Sequence, residues 1–296
     1  MKRIDLHIHS NLSDGELSPK EIIDEAVRNG ASVISITDHD TIDAYTEDVF
    51  EYAKSKGIEL IKGVEVSTNY YGIGIHVLAY NFDLNNKEFK DVLKKLKNAR
   101  HDYLFDVTKR LREIGYKVNF EKLDSIDVVT KAHISLDIIQ NKENEELLMA
   151  TFGHIPKKGE FIEGIMNENC IAYVEKASIT PMEASKYIKN ENCKVILAHP
   201  VEYKNQDKIE EEKIKDLIIN MNADGVETKY ILLDQEGNRI NEIELWSKFA
   251  KENNLIQTIG SDFHRKDGLH PVIGLLNEDI YWSEDDVDRM IENILN

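Results

Sequence analysis

Residues 3–19 read RIDLHIHSNLSDGELSP. Ile4, Leu6 and Ile8 alternate with Asp5, His7 and His9, and an alternation of period two marks a strand with successive side chains on opposite faces. One face is apolar and the other carries three polar groups. Three polar groups in a row need either solvent or a partner that compensates them. An edge strand facing water satisfies them cheaply. A metal ion satisfies two imidazoles as well, and the strand alone does not separate the two readings.

Further strand-like runs follow: SVISITD (32–38), ELIKGVEVS (59–67), IGIHVLAYNF (73–82), KVILAH (194–199), DGVET (224–228) and IQTIGSDF (256–263). Helix-like stretches lie between them. SPKEIIDEAVRNG places Ser18 as N-cap, Pro19 at the first helical position and Gly30 as C-cap. Others cover 43–56, 181–190, 207–222 and 240–254. A β-α-β alternation of this kind predicts a parallel sheet or barrel. It breaks between about 84 and 172, where Phe89, Leu93, Leu96, Tyr103, Val107, Leu111 and Ile114 recur at helical spacing. The expected organisation is a barrel from 1–83 and 173–296, with 84–172 inserted as a helical cap of the kind that closes over a site at strand ends.

The chain has 296 residues, enough for one barrel-sized domain, and 31% of them are charged. No apolar run approaches the ~18 residues of a membrane span. The first strand begins by residue 3, which leaves no room for a signal peptide. Cys170 and Cys193 form no motif and imply a reducing compartment. A cytoplasmic location is expected. The net charge of −18 opposes binding to membranes or long nucleic acid. Residues 86–131 depart from it, with 12 Lys or Arg against 8 Asp or Glu, so that this stretch carries +4 and the remainder −22. It reads as a solvated helix face, or as a basic wall toward an anionic substrate.

Metal-capable residues concentrate at strand ends. His7 and His9 end the first strand, and Asp14 follows in its loop. Asp38 and His39 end the second, Glu65 lies near the end of the third, and His76 is on the fourth. His199 ends VILAH, and Asp262 and His264 end IGSDFH. Six of the ten histidines therefore fall at or near strand termini, which gather on one face of a parallel barrel. A single His is usually a hydrogen-bonded residue, and the Asp of SDG a turn former. Even with Asp38 set aside, nine candidates are more than one ion needs, and two or three divalent ions (Mn, Fe or Zn) are expected. Glu227 also ends a strand but is set aside as a ligand.

In combination, DLHIHSNLSDG, ITDHD, GVEVS, HVLAY, LAHP and IGSDFH resemble the PHP (polymerase and histidinol phosphatase) family, metal-dependent phosphoesterases on a distorted TIM-like (β/α)7 barrel. The resemblance covers roughly 1–83 and 173–275. It implies three metals: one held by His7, His9, Glu65 and Asp262, a second bridged by Glu65 to His76 and His199, and a third on Asp14, His39 and His264. Asp5 is then expected behind the ligands, accepting a hydrogen bond that fixes a ring tautomer; Asp38 has the same option, or caps the following turn.

Asp14 stands where histidinol phosphatases and polymerase-associated PHP domains usually carry His. The insertion resembles the subgroup acting on nucleotides: nucleoside 3′,5′-bisphosphate phosphatases and short-oligonucleotide 5′-to-3′ exonucleases. It departs from that subgroup in having TKAH (130–133) for the usual GRPH, and GIMNENCIAYV where a Gly- and Pro-containing segment is usual. Lys131, His133 and Lys176 are candidate substrate contacts, and Arg265, next to His264, a candidate clamp for a second phosphate. His101, His154 and His270 read as structural or surface residues.

Metal ions in such a site activate water and polarise phosphoryl oxygens, and no Ser or Cys motif for covalent catalysis is visible. The expected activity is release of phosphate from a small nucleotide by metal-activated hydroxide, with His7, His9, Glu65, Asp262 and Arg265 at the reacting centre. Histidinol-phosphate phosphatase, short-oligonucleotide exonuclease and amidohydrolase-like hydrolysis of an amide or lactone are alternatives, as is a non-enzymatic metal-binding module.

Overall fold

The computed structural model describes residues 3–124, 126, 129–175, 177–189, 193–233, 237–266, 271–274 and 283–296. The chain divides into two compact units, 1–94 with 179–296, and 95–178. The divisions fall beyond the expected 84 and 172, and the first lies within α3 (Lys87–Glu113), one continuous helix whose residues belong to both units.

In the first unit, strands β1 (Arg3–Ile8), β2 (Ala31–Ile36), β3 (Glu59–Tyr70), β4 (Ile73–Tyr80), β5 (Lys194–Leu197), β6 (Gly225–Lys229) and β9 (Ile256–Ile259) form a seven-stranded sheet in that spatial order. A small hairpin, β7 (Ile231–Leu233) with β8 (Arg239–Asn241), stands apart from it. The large sheet is mostly parallel. β4 is the exception, antiparallel to both neighbours, where the β-α-β reading implied parallel pairing throughout. The reason is local. Tyr71 and Gly72 both have positive φ, 51° and 86°, the signature of a two-residue hairpin turn whose twist suits antiparallel strands. At the other end of the order, an isolated parallel bridge joins Ile8 to Phe263, and the His9 N–H donates to the Phe263 carbonyl at 2.9 Å.

Helices α1 (Pro19–Arg28), α2 (Glu47–Ser55), α8 (Pro181–Ile188), α9 (Pro200–Asn205), α10 (Glu211–Asn220), α11 (Ile243–Glu252) and α12 (Glu284–Leu295) complete this unit. Ser18 and Glu21 form a reciprocal capping box with Pro19 in the first turn; Asn29 is the C-cap, and Gly30 follows at φ 74°. α12 was not foreseen. Its Val287, Met290, Ile291 and Ile294 are buried in one cluster with Ile4, Leu6 and Tyr80, each worth roughly 1.5–3 kcal/mol of transfer free energy. No helix among the described residues is long and apolar enough to cross a membrane.

The second unit is helical: the remainder of α3, α4 (Phe120–Asp124), α5 (Lys131–Gln140), α6 (Glu145–Phe152) and α7 (Lys158–Phe161), followed by a π-helical turn over Ile162–Met166. It has its own core, in which Val107 and Leu111 of α3 meet Ile134, Ile138, Leu148, Phe161 and Met166.

Candidate metal centre

The polar side of β1 does not face water. Asp5, His7 and His9 are each 0% exposed, which removes the edge-strand reading and leaves three buried polar groups to be compensated. The loop after β1 is held in shape around them. Asp38 accepts the Ser10 N–H at 2.7 Å and the hydroxyls of Ser10 and Ser13, each at 2.6 Å, so it organises the loop that carries Asp14. Gly15 is required there, since a Cβ would lie 2.1 Å from the His9 carbonyl oxygen. His39, past the end of β2, bridges to Glu65 on β3. His199 and Asp262 follow β5 and β9 with φ of 22° and 52°, a backbone region costly for side-chain-bearing residues and tolerated chiefly at functional sites.

Glu65 is the hub. Its Oε1 lies 3.1 Å from both His76 Nδ1 and His199 Nε2. Its Oε2 lies 3.3 Å from His7 Nε2 and 3.2 Å from both His9 Nε2 and His39 Nδ1. Asp262 Oδ1 is 3.2 Å from His7 Nε2 and 3.0 Å from His9 Nε2. Asp14 is 3.4 Å from His9 Nδ1, 3.7 Å from His39 Nε2 and 3.4 Å from His264 Nε2. Three donor groups result, each with its ligand atoms within 4.8 Å of one another: His7, His9, Glu65 and Asp262; His9, Asp14, His39 and His264; and His39, Glu65 and His76. His199 reaches Glu65 but falls in none of the three, and His9 and His39 each serve two groups.

Divalent cations fit this donor set. His7 Nε2, both ring nitrogens of His9, His199 Nδ1 and Asp262 Oδ1 are buried without a properly directed hydrogen bond, although carboxylate oxygens lie near most of them. The atoms converge on shared space and not on one another. Mixed imidazole and carboxylate donors suit Mn, Fe or Zn.

The electrostatics agree. Burial opposes charge on Glu65, but His39, His76, His7 and the hydrogen bond from His199 hold its pKa well below the usual carboxylate range. Against the same opposition, the surrounding imidazoles lower Asp14 and Asp262. Burial works against the imidazolium forms as well. The nearby carboxylates of Asp262, Glu65 and Asp14 nevertheless push His9 up to about 10, and Glu202 and Glu65 push His199 up to about 9. His39 goes the other way, held well below the imidazole range by burial.

The expectation for Asp5 is corrected. It touches no ring nitrogen: its Oδ1 accepts the N–H of Ser261 at 2.9 Å and of His7 at 3.3 Å, and its Oδ2 accepts that of Gly274 at 3.0 Å. Asp5 therefore ties β1 to the segments on either side of the Asp262 turn. Burial, partly offset by these donors, pushes its pKa up to about 6. The ring-facing carboxylate is Glu227, whose Oε1 is 3.1 Å from His7 Nδ1. No local signal in the sequence distinguishes Glu227, 220 residues away, as that partner.

The expected substrate contacts are not gathered here by any contact of their own. Arg265 is exposed beside His264. Within the second unit, Lys131 donates to Asn167 at 3.0 Å, and His133 completes the α5 capping box, its Nδ1 accepting the Thr130 N–H at 3.2 Å. His101 pairs with Asp124 and His154 with Glu160. Lys176 and His270 lie outside the described residues.

A family model described as PHP domain matches residues 5–178. A 5′-3′ exoribonuclease of Haemophilus influenzae is 30% identical over 268 residues, covering 89% of this chain and 90% of that protein. A 3′,5′-nucleoside bisphosphate phosphatase of Chromobacterium violaceum is 23% identical, covering 89% and 88%. A solved structure of a metal-dependent phosphoesterase from Bifidobacterium adolescentis matches with a TM-score of 0.73 at 19% identity, over 100% of this chain and 97% of that one, a likeness of fold. The chain belongs to the PHP family, a family of metal-dependent phosphoesterases.

Proposed function

We propose that this chain hydrolyses a phosphomonoester of a small nucleotide, such as a nucleoside 3′,5′-bisphosphate. The observation that carries the reading is the convergence of unpartnered buried donor atoms on Glu65 and Asp262. In this reading His7, His9, Glu65 and Asp262 hold one ion, Glu65 with His76 and His199 a second, and Asp14, His39 and His264 a third. Bound there, such ions lower the pKa of a water and polarise phosphoryl oxygens.

The protein's own part is to hold the donors rigid and dry. Glu65 contributes negative charge on which five imidazoles are oriented, and Asp262 and Asp14 balance the remainder. Arg265 offers a planar guanidinium for the phosphate that is not cleaved, and Lys131 an ammonium for the same class of group. We read the large sheet as a distorted (β/α)7 barrel, a reading the Ile8–Phe263 bridge supports. Residues 95–178 we read as the helical insertion that the family resemblance assigns to holding substrate.

A second reading is 5′-to-3′ cleavage of short RNA. The Haemophilus influenzae relative favours it, while the charge of −18 disfavours long polyanions. Phosphate and nucleotide release by Mn-loaded protein, from adenosine 3′,5′-bisphosphate, AMP, histidinol phosphate and a short 5′-phosphorylated RNA, separates the two. Preference for the bisphosphate, lost in His7→Ala, is expected. Processive release of mononucleotides from RNA with no turnover of the bisphosphate would replace the first reading by the second.

A further inference from the structure

A second buried carboxylate stands behind the donor cluster. Glu227, on β6, is 1% exposed and belongs to none of the three donor groups. Its Oε1 and Oε2 lie 3.1 and 3.3 Å from His7 Nδ1, and Oε2 also accepts the His199 backbone N–H at 2.9 Å. Pairing of β6 with β9 sets Glu227 opposite Thr258, and Gly260 then leaves room for the contact. A Cβ on Gly260 would lie 2.1 Å from His7 Cβ and 2.4 Å from Glu227 Oε1.

A carboxylate can only accept, so the His7 nitrogen facing it carries the proton. Nε2, 3.3 Å from Glu65 Oε2 and 3.2 Å from Asp262 Oδ1, makes no hydrogen bond and is the nitrogen left to present a lone pair to a bound ion. The second contact restrains His199 by its backbone at φ 22°, a conformation that persists only where its surroundings hold it. We infer that Glu227 is a positioning residue of the metal centre: it fixes His7 as the Nδ1–H tautomer and pins His199, so that one acidic group sets ligands delivered by two strands. The inference rests on His7 being a metal ligand.

The test uses the full chain, with Mn2+ for affinity and diamagnetic Zn2+ for magnetic resonance. Glu227→Ala should weaken Mn2+ binding 10- to 100-fold in calorimetric titration. Glu227→Gln should recover most of the loss, because a carbonyl oxygen in the Oε2 position still accepts from both partners. Should Glu227→Ala not fold, the tautomer is read in the wild type. Long-range 1H–15N correlation of the Zn2+-loaded protein, with the His7 signals assigned by their absence from His7→Ala, should show the proton on Nδ1. A proton on His7 Nε2, or wild-type Mn2+ affinity in Glu227→Ala while His7→Ala loses it, would overturn the inference and leave the phosphoesterase reading standing. Full Mn2+ affinity in His7→Ala would overturn the ligand assignment beneath both.

Discussion

The Asp38 carboxylate holds Ser10 twice, by its backbone N–H at 2.7 Å and by its hydroxyl at 2.6 Å. With Ser13 bound as well, one side chain at the end of β2 shapes the loop that presents Asp14. Asp38→Ala leaves these buried donors unpaired, at about 1–3 kcal/mol for each group stranded. The expected outcome is a lower melting temperature and, if Asp14, His39 and His264 hold an ion as proposed, a lower metal content than the wild type. Metal analysis of the purified variant checks it, and an undiminished metal content would show that Asp14 is held by other means.

Glu65→Gln keeps the side chain's volume and removes its charge. Because both oxygens face imidazoles on several strands, the variant should fold with unchanged far-ultraviolet dichroism and lose metal. Turnover should fall roughly a thousandfold, the equivalent of about 4 kcal/mol of transition-state stabilisation. Steady-state phosphate release at saturating Mn2+ measures it.

Protons and cations compete for the same imidazoles. In protein stripped with a chelator, His9 and His199 are raised to about 10 and about 9 from an ordinary value near 6.5. A raised pKa means that the folded state holds the proton more tightly. The stability this contributes is therefore complete below about pH 6.5 and lost as pH rises through 9 and 10. Mn2+ affinity should move oppositely, rising over the same interval as the protons leave. Melting curves of stripped protein and Mn2+ titrations at pH 6.5 and 8.5 test both directions; an affinity independent of pH contradicts the assignment of these imidazoles as ligands.

His133 accepts the Thr130 N–H at the start of α5. His133→Ala should cost about 0.5–2 kcal/mol in chemical denaturation, as the loss of a cap does, with kcat and KM unchanged. A rise in KM at unchanged stability would restore the residue as a substrate contact.

Arg265 is exposed immediately after a candidate ligand. Arg265→Ala should raise KM for a nucleoside 3′,5′-bisphosphate about tenfold, or roughly 1.4 kcal/mol, with less effect on a monophosphate. Arg265→Lys should recover only part of that binding, since an ammonium lacks the bidentate fork. Equal KM changes for mono- and bisphosphates would assign Arg265 to the cleaved phosphate.

Much of the centre was legible in the chain because most of its donors sit at or just past the ends of strands whose periodicity is local; Glu65 and His76, expected at strand ends as well, lie instead within β3 and β4. His7 and His9 announce themselves by alternation, and Asp262 and His264 by closing an apolar run. The antiparallel placement of β4 was missed. Its signal, Gly72 after Tyr71 between two alternating runs, lies in a turn that competes with the β-α-β reading. Asp5 was expected to face a ring nitrogen, where the structure sets Glu227, because sharing a strand face with His7 does not say whether a carboxylate meets the ring or the backbone.

The sequence by itself determined most of the strand-and-helix succession and the set of residues whose chemistry suits a metal, since each depends on residue type and spacing within a few residues. Tertiary structure decided that Glu65 stands at the centre with five imidazoles around it, that Asp5 ties backbone segments together, and that Glu227 backs His7. Those relations join groups up to 269 residues apart. They follow from how the strands are ordered in the sheet, which no local periodicity encodes.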